Sequence, residues 1–170
     1  MRLVMPEEVI RDRVFAALAD EKEAIDREIY APDIRPVDGL RELLERLRAA
    51  GVRCAVGSSG CKANVDFVLD GCDIRPYFEA RISGDMVTRC KPDPEIYLTA
   101  AAALGLPPEE CVVVEDAPAG IESARRAGAG RIVALTTTLP REELQQTAAD
   151  IIVDTFADFA DPERYAALLA

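Results

Sequence analysis

Residues Val112–Gly130 read VVVEDAPAGIESARRAGAG. Three valines in succession, with Cys111 before them, suit a strand buried on both faces, as in a parallel sheet. The run ends on two adjacent acids, Glu115 and Asp116. An Ala-Pro-Ala-Gly turn follows, then a helix of small residues over Ala119–Ala127 that Gly128 closes. Arg131–Leu135 (RIVAL) is the next apolar strand. One strand, a crossover helix and a second strand form a βαβ unit, and this unit decides the fold.

The same alternation extends in both directions. Towards the N-terminus, Val52–Val56 is a short strand ending in GSSG (57–60). A helix over Lys62–Leu69, a weak strand at Ala80–Ile82 and a helix over Pro94–Leu104 follow it. Towards the C-terminus come a helix over Glu142–Ala149, a strand at Ile151–Val153 and a terminal helix over Phe156–Leu169. Asp38–Ala50 is an amphipathic helix with Leu40, Leu43, Leu44 and Leu47 on one face, ended by Gly51. Pro6–Glu28 reads as one or two helices. Tyr30–Pro36 (YAPDIRP) is a proline-bounded connector. The expected fold class is therefore α/β, a three-layer core in which helices cover both faces of a parallel sheet.

Composition narrows the function. Acids outnumber bases by 31 to 20, for a net charge of −11. This disfavours nucleic acid and anionic membrane surfaces as partners, since both attract basic patches. No stretch approaches the roughly 18 apolar residues that span a bilayer, and MRLVMPEEVIRDRV lacks the apolar centre of a signal peptide. A cytoplasmic location is expected. The five cysteines form no CxxC pair, so neither a metal finger nor a disulfide framework is expected. The chain has no histidine, which removes histidine-based triads, bases and metal clusters together.

Three polar groups remain at or beyond strand ends: Ser58-Ser59, Lys91 in RCKPDPEIY, and Glu115-Asp116. In a parallel sheet they can converge on the carboxyl edge, where ligands bind. Hydroxyls and backbone N–H groups at Ser58 and Ser59 can cradle an anion. Lys91 supplies a point charge for phosphate oxygens. Glu115 and Asp116 offer the hard oxygens that Mg²⁺ prefers. Each group also has a plain structural reading: Ser58 as a helix cap, Lys91-Pro92 as a surface turn, the acids as a solvated loop opening. Their order along one sheet edge favours a small phosphorylated substrate with Mg²⁺.

The order GSSG, KPDPEIY, VVVEDAPAGIESARRAGAG resembles the haloacid dehalogenase superfamily, and within it the β-phosphoglucomutase-like phosphatases and mutases. The segment IRPVDGLRELLERLRAAGVRCAVGSSG is similar to that group's passage from helical cap into Rossmann-like core. The resemblance covers roughly residues 20–160. It implies that Ser58 binds the transferring phosphoryl group, with Ser59 beside it as a backbone donor. It implies that Lys91 stabilises nucleophile and phosphate charge. It implies that Glu115 and Asp116 anchor Mg²⁺, with Asp116 the direct ligand. Ser58 and Lys91 would be the catalytic residues. The implied organisation is a partial helical cap remnant over 1–33 and an α/β core over 34–170.

The family's first motif, an apolar strand ending in Asp-x-Asp, is not matched within residues 1–50: Asp12, Asp20 and Asp26 sit in helical patterns, and Asp33 lies in the proline connector. That motif supplies the attacking aspartate and the general acid/base. The chain is therefore expected to begin inside the cap, to lack the sheet's first strand, and to show little turnover alone. The lost strand would lie between those carrying Ser58 and Asp116. Three outcomes stay open: MRLVM inserts in its place, the two neighbours close up, or a partner chain such as a second copy covers the gap. A non-catalytic metal- or phosphate-binding module is the alternative function. A receiver-like signalling domain ranks below it, because no acceptor aspartate ends a central strand.

Overall fold

The computed structural model describes residues 7–169, with the side chains described from residue 17 onward and at Phe15. The chain divides at Ile34 into two compact units. The first contains one long helix, α1 (Glu7–Tyr30), followed by a 3₁₀ turn at Ala31–Asp33. Along α1, Lys22 pairs with Glu23 and with Asp26, the latter one helical turn on.

The second unit is an α/β core. Its helices are α2 (Leu40–Ala49), α3 (Lys62–Gly71), α4 (Glu95–Leu104), α5 (Pro118–Ala127), α6 (Arg141–Leu144) and α7 (Pro162–Leu169). Its strands are β1 (Ala55–Gly57), β2 (Ala80–Ile82), β3 (Val112–Glu115), β4 (Arg131–Leu135) and β5 (Ile151–Val153). All strand pairs are parallel.

β4 shows why the sheet forms. Its side chains alternate between faces, and both faces are covered. Val133 and Leu135 join Leu43, Val153, Phe156, Phe159 and Leu168 beneath α2 and α7. Ile132 and Ala134 join Val113, Ile121, Ala124 and Leu144 beneath α5 and α6. A strand sandwiched in this way must be apolar at every position, as RIVAL nearly is. A third cluster, Ile82, Ile96 and Ala100, packs α4 onto β1 and β2.

The strands form two ladders. One is β1-β2, the other β3-β4-β5, and among the described residues no ladder joins β1 to β3. The two neighbours of the gap have not closed up. The expectation that β3 is buried on both faces needs correction: Val113 is buried, but Val112 and Val114, on the opposite face, are exposed. The stretch MRLVM lies outside the described residues.

Two helical expectations need correction. The helix expected over Glu142–Ala149 is a single α-turn, Arg141–Leu144, and the Thr147 hydroxyl then bonds back to the Leu144 carbonyl. The terminal helix expected over Phe156–Leu169 is broken in two. A 3₁₀ segment runs Phe156–Ala160, Asp161 is extended, and Pro162 opens α7. Proline tolerates a first helical turn but breaks an interior one.

Candidate functional site

The carboxyl ends of β1, β2 and β3 carry the polar residues. Glu115 is the last residue of β3, on the same face as the buried Val113. Gly120, in the first turn of α5, makes room for it: a Cβ there would overlap the Glu115 carboxylate. The carboxylate therefore tucks under α5. Lys91 reaches it from the loop before α4, and the pair is buried, with side chains 13% and 9% exposed. The Lys91 ammonium also donates to the Gly57 carbonyl at 3.1 Å and to the Tyr97 hydroxyl at 2.9 Å. The Tyr97 hydroxyl in turn donates to Glu115. Burial, then the neighbouring carboxylate, push the Tyr97 phenol far above its usual range.

The loop bearing Lys91 is fixed from both sides. Ser123, fully buried on α5, donates to the Asp93 carbonyl at 2.7 Å. The Glu95 carboxylate accepts from the backbone N–H groups of Thr88 and Arg89 and from the Thr88 hydroxyl. Tyr97 lies against β1 because Gly57 has no side chain; a Cβ there would stand 3.3 Å from the ring.

Ser58 follows Gly57. Its N–H donates to the Ile82 carbonyl, and its hydroxyl accepts from the Gly60 N–H at 3.1 Å. A hydroxyl that accepts this bond keeps its own proton free to donate. Ser59 is exposed beside it.

Asp116 goes elsewhere. Its N–H donates to Glu115, but its carboxylate takes hydroxyl bonds from Thr137 and Thr138, past the end of β4. Among the described residues no cation pairs with it. The structure thus brings Lys91 and Glu115 into direct contact, holds both at the end of the strand leading to Ser58, and gives the carboxylates of the two adjacent acids different partners. Tyr97, Thr137 and Thr138 were not singled out from sequence. Tyr97 sits within the KPDPEIY stretch, and the TTT run at 136–138 ends a strand, which was the available signal.

No group of three metal-ligating side chains occurs among the described residues. Mg²⁺ does not need one: it keeps several waters and uses one or two carboxylates with substrate phosphates. The free oxygen of Asp116 fits that demand, whereas Glu115 is engaged by Lys91.

The sequence profile of the haloacid dehalogenase-like hydrolases matches residues 6–128. The chain belongs to this family. Within these hydrolases it is 42% identical to the protein CbbY of Rhodobacter capsulatus over 93 residues, which are 53% of this chain and 41% of that protein. It is 39% identical to validoxylamine A 7'-phosphate phosphatase of Streptomyces hygroscopicus subsp. limoneus over 126 residues, 74% of this chain and 58% of that enzyme. The chain thus spans about half the length of these curated relatives. Among solved structures, CbbY from Rhodobacter sphaeroides in complex with phosphate superimposes with a TM-score of 0.72 at 30% identity, covering 83% of this chain and 65% of that one. A mutant of that protein has been solved with xylulose-(1,5)bisphosphate. No helix among the described residues is long and apolar enough to cross a membrane.

Proposed function

We propose that this chain carries the phosphate- and Mg²⁺-handling part of a phosphatase or phosphomutase acting on small phosphomonoesters, sugar phosphates foremost. The observation that carries the reading is the buried Lys91–Tyr97–Glu115 cluster at the carboxyl edge, with Lys91 also holding the end of β1 just before Ser58. A lysine kept so close to that strand end places positive charge where a phosphoryl group would dock. The Ser58 hydroxyl would donate to a phosphate oxygen, with the Ser59 N–H beside it. Mg²⁺, held by Asp116, would supply charge neutralisation between phosphate oxygens. The sugar-phosphate preference is supported by the names of the phosphatase relative and of the bisphosphate complex above.

The chain by itself should bind without turning over, because no Asp-x-Asp stretch ends a strand in its sequence. Removing a covalent nucleophile costs several orders of magnitude in rate. The test is an amide NMR titration with Mg²⁺ and inorganic phosphate. Saturable shifts at Ser58–Gly60, Lys91 and Asp116 that disappear in Lys91→Met and Asp116→Asn are expected. Shifts elsewhere, or shifts that survive both substitutions, would overturn the reading. Parallel assays with p-nitrophenyl phosphate should show no hydrolysis above the Asp116→Asn and EDTA controls. Turnover requiring both Mg²⁺ and Asp116 would place a nucleophile within these residues.

A further inference from the structure

The acidic pair at the end of β3 is split, and the half that is free is not loose. The Asp116 carboxylate accepts two hydrogen bonds, from the hydroxyls of Thr137 and Thr138, and both arrive at the same oxygen, Oδ2. A carboxylate only accepts, so both hydroxyls donate. Oδ1 receives no bond from a described residue.

The two threonines are themselves held. In the β3–β4 ladder Glu115 lies opposite Ala134, so the chain leaving β4 runs beside Asp116. Thr136, the first residue past β4, donates its N–H to the Val153 carbonyl at 3.1 Å and its hydroxyl to Asp154 at 2.8 Å. Arg141 closes the other side of the loop, on Asp154 at 2.8 Å and on the Ile152 carbonyl at 2.9 Å. Thr137 and Thr138 are thus presented to Asp116 from a segment pinned to β5 at both ends.

We propose that Thr137 and Thr138 are positioning residues for Asp116: by occupying Oδ2 they fix the carboxylate and leave Oδ1 as the single oxygen offered to a divalent cation. This rests on the Mg²⁺ reading of the site. An aspartate rotates broadly about its last torsion, and a freely turning carboxylate can offer a cation one oxygen or both. Mg²⁺ demands near-octahedral geometry with short bonds, which one fixed oxygen meets and a chelating pair distorts. Outer partners that orient a ligand are a general part of metal sites.

The test uses Mn²⁺ as the probe, followed by the electron paramagnetic resonance signal of the free ion, on the full 170-residue chain. Three variants are compared with the parent: Asp116→Asn, Thr137→Val with Thr138→Val, and Thr137→Ser with Thr138→Ser. Circular dichroism checks that each is folded. The valine pair is expected to bind about tenfold more weakly, and the serine pair within about twofold of the parent, as an outer-shell hydrogen bond implies. A valine pair that binds like the parent while Asp116→Asn does not would overturn the proposal and leave the metal reading intact. A serine pair as weak as the valine pair would overturn it as well, by showing that methyl packing matters and the hydroxyls do not. A parent chain without saturable Mn²⁺ binding, or an Asp116→Asn variant that binds equally, would overturn the metal reading and this proposal with it.

Discussion

Gly120→Ala is the sharpest probe of the buried cluster. Gly120 lies in the first turn of α5, and a Cβ there would overlap the Glu115 carboxylate. Two effects compete. Alanine favours the helix over glycine by up to about 1 kcal/mol. Against this, the new methyl drives Glu115 away from Lys91 and Tyr97, and separating a buried ion pair costs about 3–5 kcal/mol. The pair is buried enough for that range to apply, at 13% and 9% exposure. The difference is a net loss of about 2–4 kcal/mol, equivalent to about 6–12 °C in melting temperature for a unit of this size. Urea denaturation read by circular dichroism measures it. The decisive arm is the double variant. In a Glu115→Ala background the obstacle is gone, so Gly120→Ala should become neutral or stabilising by up to about 1 kcal/mol. If Gly120→Ala were as stable as the parent, or lost the same stability in both backgrounds, the argument that Gly120 exists to admit Glu115 would fail.

Glu95 gives a pH test. Hydrogen bonds from the backbone and side chain of Thr88, then from Arg89, hold its carboxyl below the usual range. A depressed folded value means the stabilisation is complete above the unfolded pKa and disappears as pH falls through the folded one. The melting-temperature gap between the parent and Glu95→Gln should therefore be constant from pH 7 down to about 5 and shrink below about 4.3; a gap unchanged at pH 3 would contradict it. Gly39 and Gly51 form a matched pair, both with left-handed backbone, φ +79 and +73. Alanine at Gly51 meets open space and should lose only the about 1–2 kcal/mol of left-handed strain. At Gly39 its Cβ would press on the backbone of Phe156 and Ala157, adding about 1–3 kcal/mol. Equal losses in urea melts would remove the contact from the account.

The alternation of strand and helix was readable because Val112–Val114 of β3 and Ile132–Leu135 of β4 are unbroken apolar runs and Gly105 and Gly128 end α4 and α5 in the left-handed conformation. Less readable was which acid does what. Glu115 and Asp116 look like one chelating pair in the sequence, but successive strand residues point to opposite faces. Glu115 follows Val113 under α5, while Asp116 turns to the loop after β4. The partner of Lys91 was equally hidden, because it depends on Gly57 and Gly120 being small in two separate elements. Thr137 and Thr138 belong to a loop whose path is fixed by Arg141, which opens α6, and Asp154, just past β5. The shortened α6 and the break before α7 come from local chemistry, a hydroxyl bonding back and a proline. The break at Pro162 was open to inspection in the sequence.

The division of the strands into two ladders has a mechanical consequence. In a continuous parallel sheet, a shift of one strand strains the backbone hydrogen bonds of its neighbour, so the sheet behaves as a stiff plate. Among the described residues, Gly57 and Glu115 are joined through side chains: the Lys91 ammonium bonds both, and Tyr97 lies against Gly57 while its hydroxyl donates to Glu115. Among the described residues, the spacing between the Ser58 turn and the Asp116 turn is therefore a soft coordinate, set by the side chains of Lys91 and Tyr97 rather than by a ladder.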